Sequence, residues 1–185
     1  SGVTQSQIDE TGNYTFADGL RAILRQDPDV VMIGEIRDLE TAGVSAQAAL
    51  TGHVLLSTLH PNSAIESIPR LLNMGLPEYM IAPALHTVIA QRLVRRTCEC
   101  RQLVAPDPSQ LEHFKKTIEA INQIQPDLKI EMPKEIPKPV GCDKCSKTGY
   151  HGRLVISEMF EMDREFEELI LQKAGVGKLS ETARK

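Results

Sequence analysis

Tryptophan is absent from this chain, and only four phenylalanines and three tyrosines are present in 185 residues. So few aromatic faces argue against a base-stacking platform for single-stranded nucleic acid. No run of 18 apolar residues occurs, so no transmembrane helix is expected. No N-terminal stretch has the charged and apolar layout of a signal peptide, so a cytoplasmic location is expected. Basic residues (21) are outnumbered by acidic ones (25), for a formal net charge of −4. A dedicated nucleic-acid binder carries a basic face, so no nucleic-acid partner is expected. The cluster Arg92, Arg95, Arg96 and Arg101 is the local exception. A phosphate-cradling G-x-x-x-x-G-K-S/T loop is also missing from these residues. There is no internal repeat and no low-complexity tract.

What is present begins with a strand that ends in an acid. Val30-Val31-Met32-Ile33 is continuously apolar, as a central parallel strand should be, and Gly34-Glu35 follows it. In an open α/β sheet the ligand sits beyond the carboxyl ends of the strands. Nucleotide-hydrolysing proteins place an acid there, beside Mg²⁺ and the γ-phosphate. Glu35 can hold a metal-bound water, polarise an attacking water, or do both. The competing reading is a solvated glutamate that merely ends a strand. Val54 to Thr58 reads as a second buried strand, and His60 follows it on the same edge of the sheet as Glu35. An imidazole there can sense or stabilise a γ-phosphate, or it can simply face solvent. His53 precedes the strand, at the opposite edge, and is expected to be structural. Arg37 can read phosphate or anchor the Glu35 loop through an ion pair. A helix-start salt bridge is the plainer alternative.

Around these strands the pattern predicts helices. Thr15-Phe16-Ala17-Asp18 opens one as a capping box, running to about Gln26. Asp38 caps the next, which ends at Gly52. Strand, helix, strand with short links is a βαβ crossover. Helical pieces are expected over about 62–73, with a kink at Pro69, and near 77–80 and 83–90. Composition then shifts: residues 97–150 hold every cysteine and most of the prolines. A helix is expected over about 108–123, a stiff extended connection through Pro133, Pro137 and Pro139, a strand over 153–160 and a helix over 164–173. From Gly175 onward the chain reads as frayed or truncated.

Cysteine is scarce and paired. Cys98-Glu99-Cys100 and Cys142-Asp143-Lys144-Cys145 are separated by 41 residues. In a cytosolic chain, such pairs read as a metal site sooner than as disulfides. Four thiolates suit structural Zn²⁺, which favours a closed tetrahedron. The first pair, C-x-C, is tighter than usual. The competing reading is free thiols left from a former site.

Taken together, DPDVVMIGEIRD (27–38), TGHVLLSTLHPNSA (51–64), FADGLRAILRQ (16–26), QRLVRRTCEC (91–100) and GCDKCSKTGYHGR (141–153) resemble the secretion ATPases of type II secretion and type IV pilus assembly, the GspE/PulE/PilB group. The resemblance implies an α/β fold with a partial RecA-like P-loop NTPase core over 1–96, a tetracysteine zinc subdomain over 97–150 and a small C-terminal α/β region over 151–185. It implies ATP and Mg²⁺ as cofactors of the full-length protein, with Glu35 as the Walker B glutamate, His60 and His53 in the His box, and Arg37 as that motif's arginine. It further implies a homohexamer, peripheral on the cytoplasmic face of the inner membrane, working with an integral-membrane platform protein to polymerise pilin or pseudopilin. The tetracysteine region favours the assembly and secretion branch over pilus retraction. Without the phosphate loop, these residues by themselves are expected to be inactive. A zinc-stabilised module that docks on a platform or partner subunit, with no catalysis of its own, is the alternative. A DNA-translocating relative is disfavoured by the acidic balance and the cysteines.

Overall fold

The computed structural model describes residues 2–9 and 11–183, which divide into two compact units. One unit comprises the described residues up to Ala90 together with Glu158–Ala183, and the other comprises Gln91–Ser157.

The first unit is built as the local signals direct. Helix α1 (Phe16–Leu24) begins at Thr15, whose side chain accepts from the Asp18 N–H while Asp18 accepts from the Thr15 N–H. This closed capping box satisfies two of the amides that a helix start leaves free. Strand β1 (Val30–Ile33) follows, and Asp38 caps α2 (Leu39–Leu50). Gly52, at positive φ, turns the chain into β2 (Val54–Ser57). The two strands pair in parallel, Val30 with Val54 through Ile33 with Ser57. The expected α/β crossover is therefore present.

Only one face of this small sheet is covered. Leu20, Val31 and Ile33 are buried together, with Phe16, Ile23, Leu24, Val44 and Leu55 packed around them. Val30, Met32, Val54 and Leu56 point the other way and stay exposed, Met32 by 72%. The expectation of a strand buried on both sides is thus corrected. Successive side chains alternate across a strand, and α1 and α2 supply apolar cover to one side.

Helix α2 has a second neighbour. Ala42 and Ala46 pack into a larger core with Ala64, Ile65, Ile68, Leu71 and Ile81. Helix α3 (Ser67–Asn73) starts later than expected, and Pro69 sits in its first turn without breaking it. Amides there have no intrahelical acceptor, so proline forfeits no hydrogen bond. Helix α4 (Glu78–Ala84) contains Pro83 and stops one residue after it. The helical piece expected over 83–90 is instead the entry to β3 (Thr87–Thr97). Its opening residues, Thr87, Val88 and Ile89, are β-branched and favour a strand.

The second unit holds β4 (Gln102–Val104), α5 (Pro108–Ile124) and β5 (Ile136–Lys138). β4 and β5 pair antiparallel. Asp107 and Gln110 close a capping box on α5, with Pro108 at the first helical position. No residue of α5 is buried.

Strand β6 (Tyr150–Glu161) pairs with β3. The Met162 N–H donates to the His86 carbonyl at one end, and the Cys98 N–H donates to the Gly149 carbonyl at the other. The two strands therefore run antiparallel. Residues 158–183 supply part of the first unit's core. Phe160 stacks on Phe166 at 4.9 Å between ring centroids. Phe166, Leu169 and Ile170 of α6 (Arg164–Leu171) are buried with the α2–α4 side chains. Within the stretch expected to be frayed or truncated from Gly175 onward, Val176–Thr182 form α7 and bury Leu179, while residues 184 and 185 lie outside the described residues.

Candidate functional sites: an acid–histidine pair and a tetracysteine cluster

The carboxyl ends of β1 and β2 bring Glu35 and His60 together across 25 residues of sequence. Parallel register places the residue after Gly34 beside the chain leaving Ser57. Glu35 Oε1 lies 2.6 Å from Nη2 of Arg37, and Oε2 lies 3.2 Å from Nε2 of His60. Glu35 is the most enclosed member, with 20% of its side chain accessible against 77% for His60. The Arg37 guanidinium, donating to the carboxylate, holds Glu35 below the ordinary glutamate range, and His60 adds a further downward pull. The site thus presents an ionised carboxylate with a histidine at hydrogen-bond reach, beyond a parallel sheet edge.

Two tethers hold this arrangement, and neither was visible as a motif. Thr58 Oγ1 donates to the Gly34 carbonyl at 2.6 Å, and the Ile36 N–H donates to the Thr58 carbonyl at 3.1 Å. The loop after His60 is secured where the Ala64 N–H donates to the Glu158 carboxylate, a contact spanning 94 positions. Only the pairing of distant segments reveals either one.

His53 does not join this site. Its Nδ1 lies 3.2 Å from the Ala48 carbonyl and 3.3 Å from Thr51 Oγ1, against the end of α2. That is the structural placement expected of it. Arg95, one of the local basic cluster, lies over the Tyr150 ring at 4.1 Å.

In the second unit, the four cysteine sulfurs all lie within 4.8 Å of one another. Sγ separations are 3.9 Å for Cys98–Cys142, 4.0 Å for Cys100–Cys145 and 3.7 Å for Cys142–Cys145. A Zn–S bond of about 2.3 Å in a tetrahedron requires sulfurs roughly 3.8 Å apart. The donor set therefore fits zinc, the C-x-C spacing included.

Backbone geometry builds the cage. The Cys142 and Gly149 N–H groups donate to Cys145 Sγ at 3.1 and 3.3 Å and pull that thiol down to about 6. At Cys100 the Gly141 backbone also pulls downward, but burial and the other three thiols outweigh it and push the group up to about 11. Gly141 and Gly149 both adopt positive φ. A Cβ on Gly141 would meet the Lys147 carbonyl oxygen at 2.6 Å, and one on Gly149 would meet Pro139 Cβ at 2.6 Å. The knuckle therefore requires glycine at both ends.

An α/β chain with a carboxylate and a histidine at its parallel sheet edge, and with a four-thiol cage, has clear relatives. A sequence model of the Type II/IV secretion system protein family matches residues 1–185. The chain belongs to that family. It is 42% identical over its whole length to the "Type IV pilus assembly ATPase TfpB" of Acinetobacter baylyi, covering 30% of that protein. It is 45% identical over 94% of its length to the "Type II secretion system ATPase E" of Vibrio cholerae, covering 32% of it. The chain thus spans about a third of the length of these relatives. Among solved structures, the ADP-bound pilus retraction motor PilT is similar over 91% of this chain and 34% of its own, with TM-score 0.53 and 25% identity. The Legionella pneumophila ATPase DotB shares the fold over 98% of this chain and 36% of its own, with TM-score 0.57 and 23% identity.

Proposed function

We propose that this chain is the C-terminal part of a hexameric ATPase that couples ATP hydrolysis to pilin or pseudopilin assembly, in type II secretion or type IV pilus biogenesis. The carrying observation is the Glu35–His60 pair at the carboxyl edge of the parallel strands, within a chain matched to this family along its whole length. In this reading residues 1–96 belong to a RecA-like core. Glu35 would polarise the attacking water or help hold Mg²⁺, which the full-length protein brings with ATP. His60 orients Glu35 and would stabilise the terminal phosphate, and Arg37 anchors the loop. Mg²⁺ supplies charge neutralisation on the phosphates when bound. Without a phosphate loop, these 185 residues alone hydrolyse no ATP.

Cys98, Cys100, Cys142 and Cys145 hold a structural Zn²⁺, a reading supported by sulfur spacings that match a tetrahedral cage. The full-length protein works as a homohexamer, in the cytoplasm and peripheral to the inner membrane, on an integral-membrane platform protein. The four-thiol unit also supports the other reading, a zinc-stabilised docking module without chemistry of its own.

Glu35→Gln in the full-length protein separates the two. The motor reading expects turnover to fall by at least about a hundredfold while ATP binding persists. Normal turnover in that variant would leave only the docking module.

A further inference from the structure

Thr58 lies abreast of Glu35 and touches the residues on both sides of it. Its hydroxyl donates to the Gly34 carbonyl at 2.6 Å, and its own carbonyl accepts from the Ile36 N–H at 3.1 Å. Glu35 is therefore spanned by two bonds from one residue. The strands have already ended, Ile33 being the last paired residue of β1 and Ser57 that of β2. Beyond that point a chain leaving a sheet is free to separate from its neighbour unless something ties it. Thr58 extends the tie by one residue on each side of the acid. His60 stands two residues further along the same segment, with Nε2 at 3.2 Å from Glu35 Oε2.

We propose that Thr58 is a positioning residue: its hydroxyl latches the Glu35 turn to the His60 segment and so sets the separation of the acid and the imidazole. The inference rests on the motor reading of Glu35. Valine has nearly the same shape as threonine and keeps the backbone carbonyl, so Thr58→Val removes the hydroxyl's bond and leaves the Ile36 bond available. A latch of this kind acts on geometry at the reacting atoms and not on nucleotide affinity, and small displacements there cost rate steeply.

The test uses the full-length protein with Thr58→Val, Thr58→Ser, Thr58→Ala and Glu35→Gln. Steady-state ATP turnover is measured beside the binding of a fluorescent ATP analogue with Mg²⁺. Exchange of the Ile36 amide is followed by mass spectrometry. Thr58→Val is expected to lower kcat about tenfold, with KM and analogue binding within about twofold and faster exchange at Ile36. Thr58→Ser, which keeps the hydroxyl, is expected to restore kcat to within about twofold. Wild-type kcat in Thr58→Val, with Glu35→Gln inactive, would overturn the latch and leave the motor reading intact. Equal losses in the serine and valine variants would also overturn it, since the hydroxyl would then be irrelevant. If the valine variant does not fold, the same comparison is read between Thr58→Ala and Thr58→Ser. Undiminished turnover in Glu35→Gln would remove the motor reading itself.

Discussion

Arg37 and His60 approach different oxygens of Glu35, and their effects differ in weight. Arg37 comes first, through a close hydrogen bond and its fixed charge, and His60 follows. A depressed carboxyl pKa keeps Glu35 ionised as pH falls through the ordinary glutamate range, so on the motor reading the acid limb of turnover in the full-length protein is expected to lie below that range. Arg37→Ala removes the larger cause and moves that limb to higher pH. A ¹³C titration of the Glu35 carboxyl in the two proteins checks this. An unchanged midpoint would show that the pair seen here does not persist in solution. Arg37 is exposed, so salt weakens the effect. All three partners were legible as candidates because each lies close to the end of a recognisable strand. Thr58 was not legible, since a threonine inside a strand-like run looks like any β-former until the partner strand is known.

At the scale of elements, the cysteine knuckle shows how much a cage depends on its backbone. Gly141 and Gly149 bracket Cys142–Cys145 in conformations that other residues resist, and each has a neighbour where its Cβ would go. Gly141→Ala is expected to cost zinc binding although no ligand changes. Elemental analysis should read about one zinc per chain in the parent and clearly less in Gly141→Ala and in Cys142→Ser. Full zinc content in the alanine variant would mean that the loop relaxes around the added methyl. The helices divide in the same way. α1 and α2 begin where their capping residues direct, because a cap is a local bond over three positions. The expected helix over 83–90 failed because apolar residues beside a proline suit a strand end equally well, and pairing with β6 decided between them.

At the largest scale, the segment 158–183 rejoins the unit formed by the upstream residues. Phe166 is 2% exposed and shares a core with Ala42 and Ile68 from far upstream. Phe166→Ala is expected to destabilise this unit by about 3–5 kcal/mol, the range for emptying a large buried aromatic site. Leu111→Ala on α5 removes a comparable apolar group from an exposed surface, and should change stability by no more than about 0.5 kcal/mol. Denaturant unfolding of the two variants makes the comparison. Equal losses would contradict the packing described here. Val176–Thr182 are ordered rather than frayed for the same reason, since Leu179 has little local drive to order and gains it by burial against a distant core.

The sequence by itself determined the local and the chemical: helix starts, the apolar strands, the acid at a strand end, the paired thiols and the family. These depend on residues a few positions apart, or on side-chain types that carry their chemistry anywhere. The tertiary structure alone decided which face of the sheet is covered, which core receives the final helices, that the four sulfurs converge to zinc spacing, and that Thr58 and Glu158 brace the Glu35–His60 site. Each of those is a contact between segments tens of residues apart. Its energy comes from burial and register, which exist only once the chain has closed upon itself.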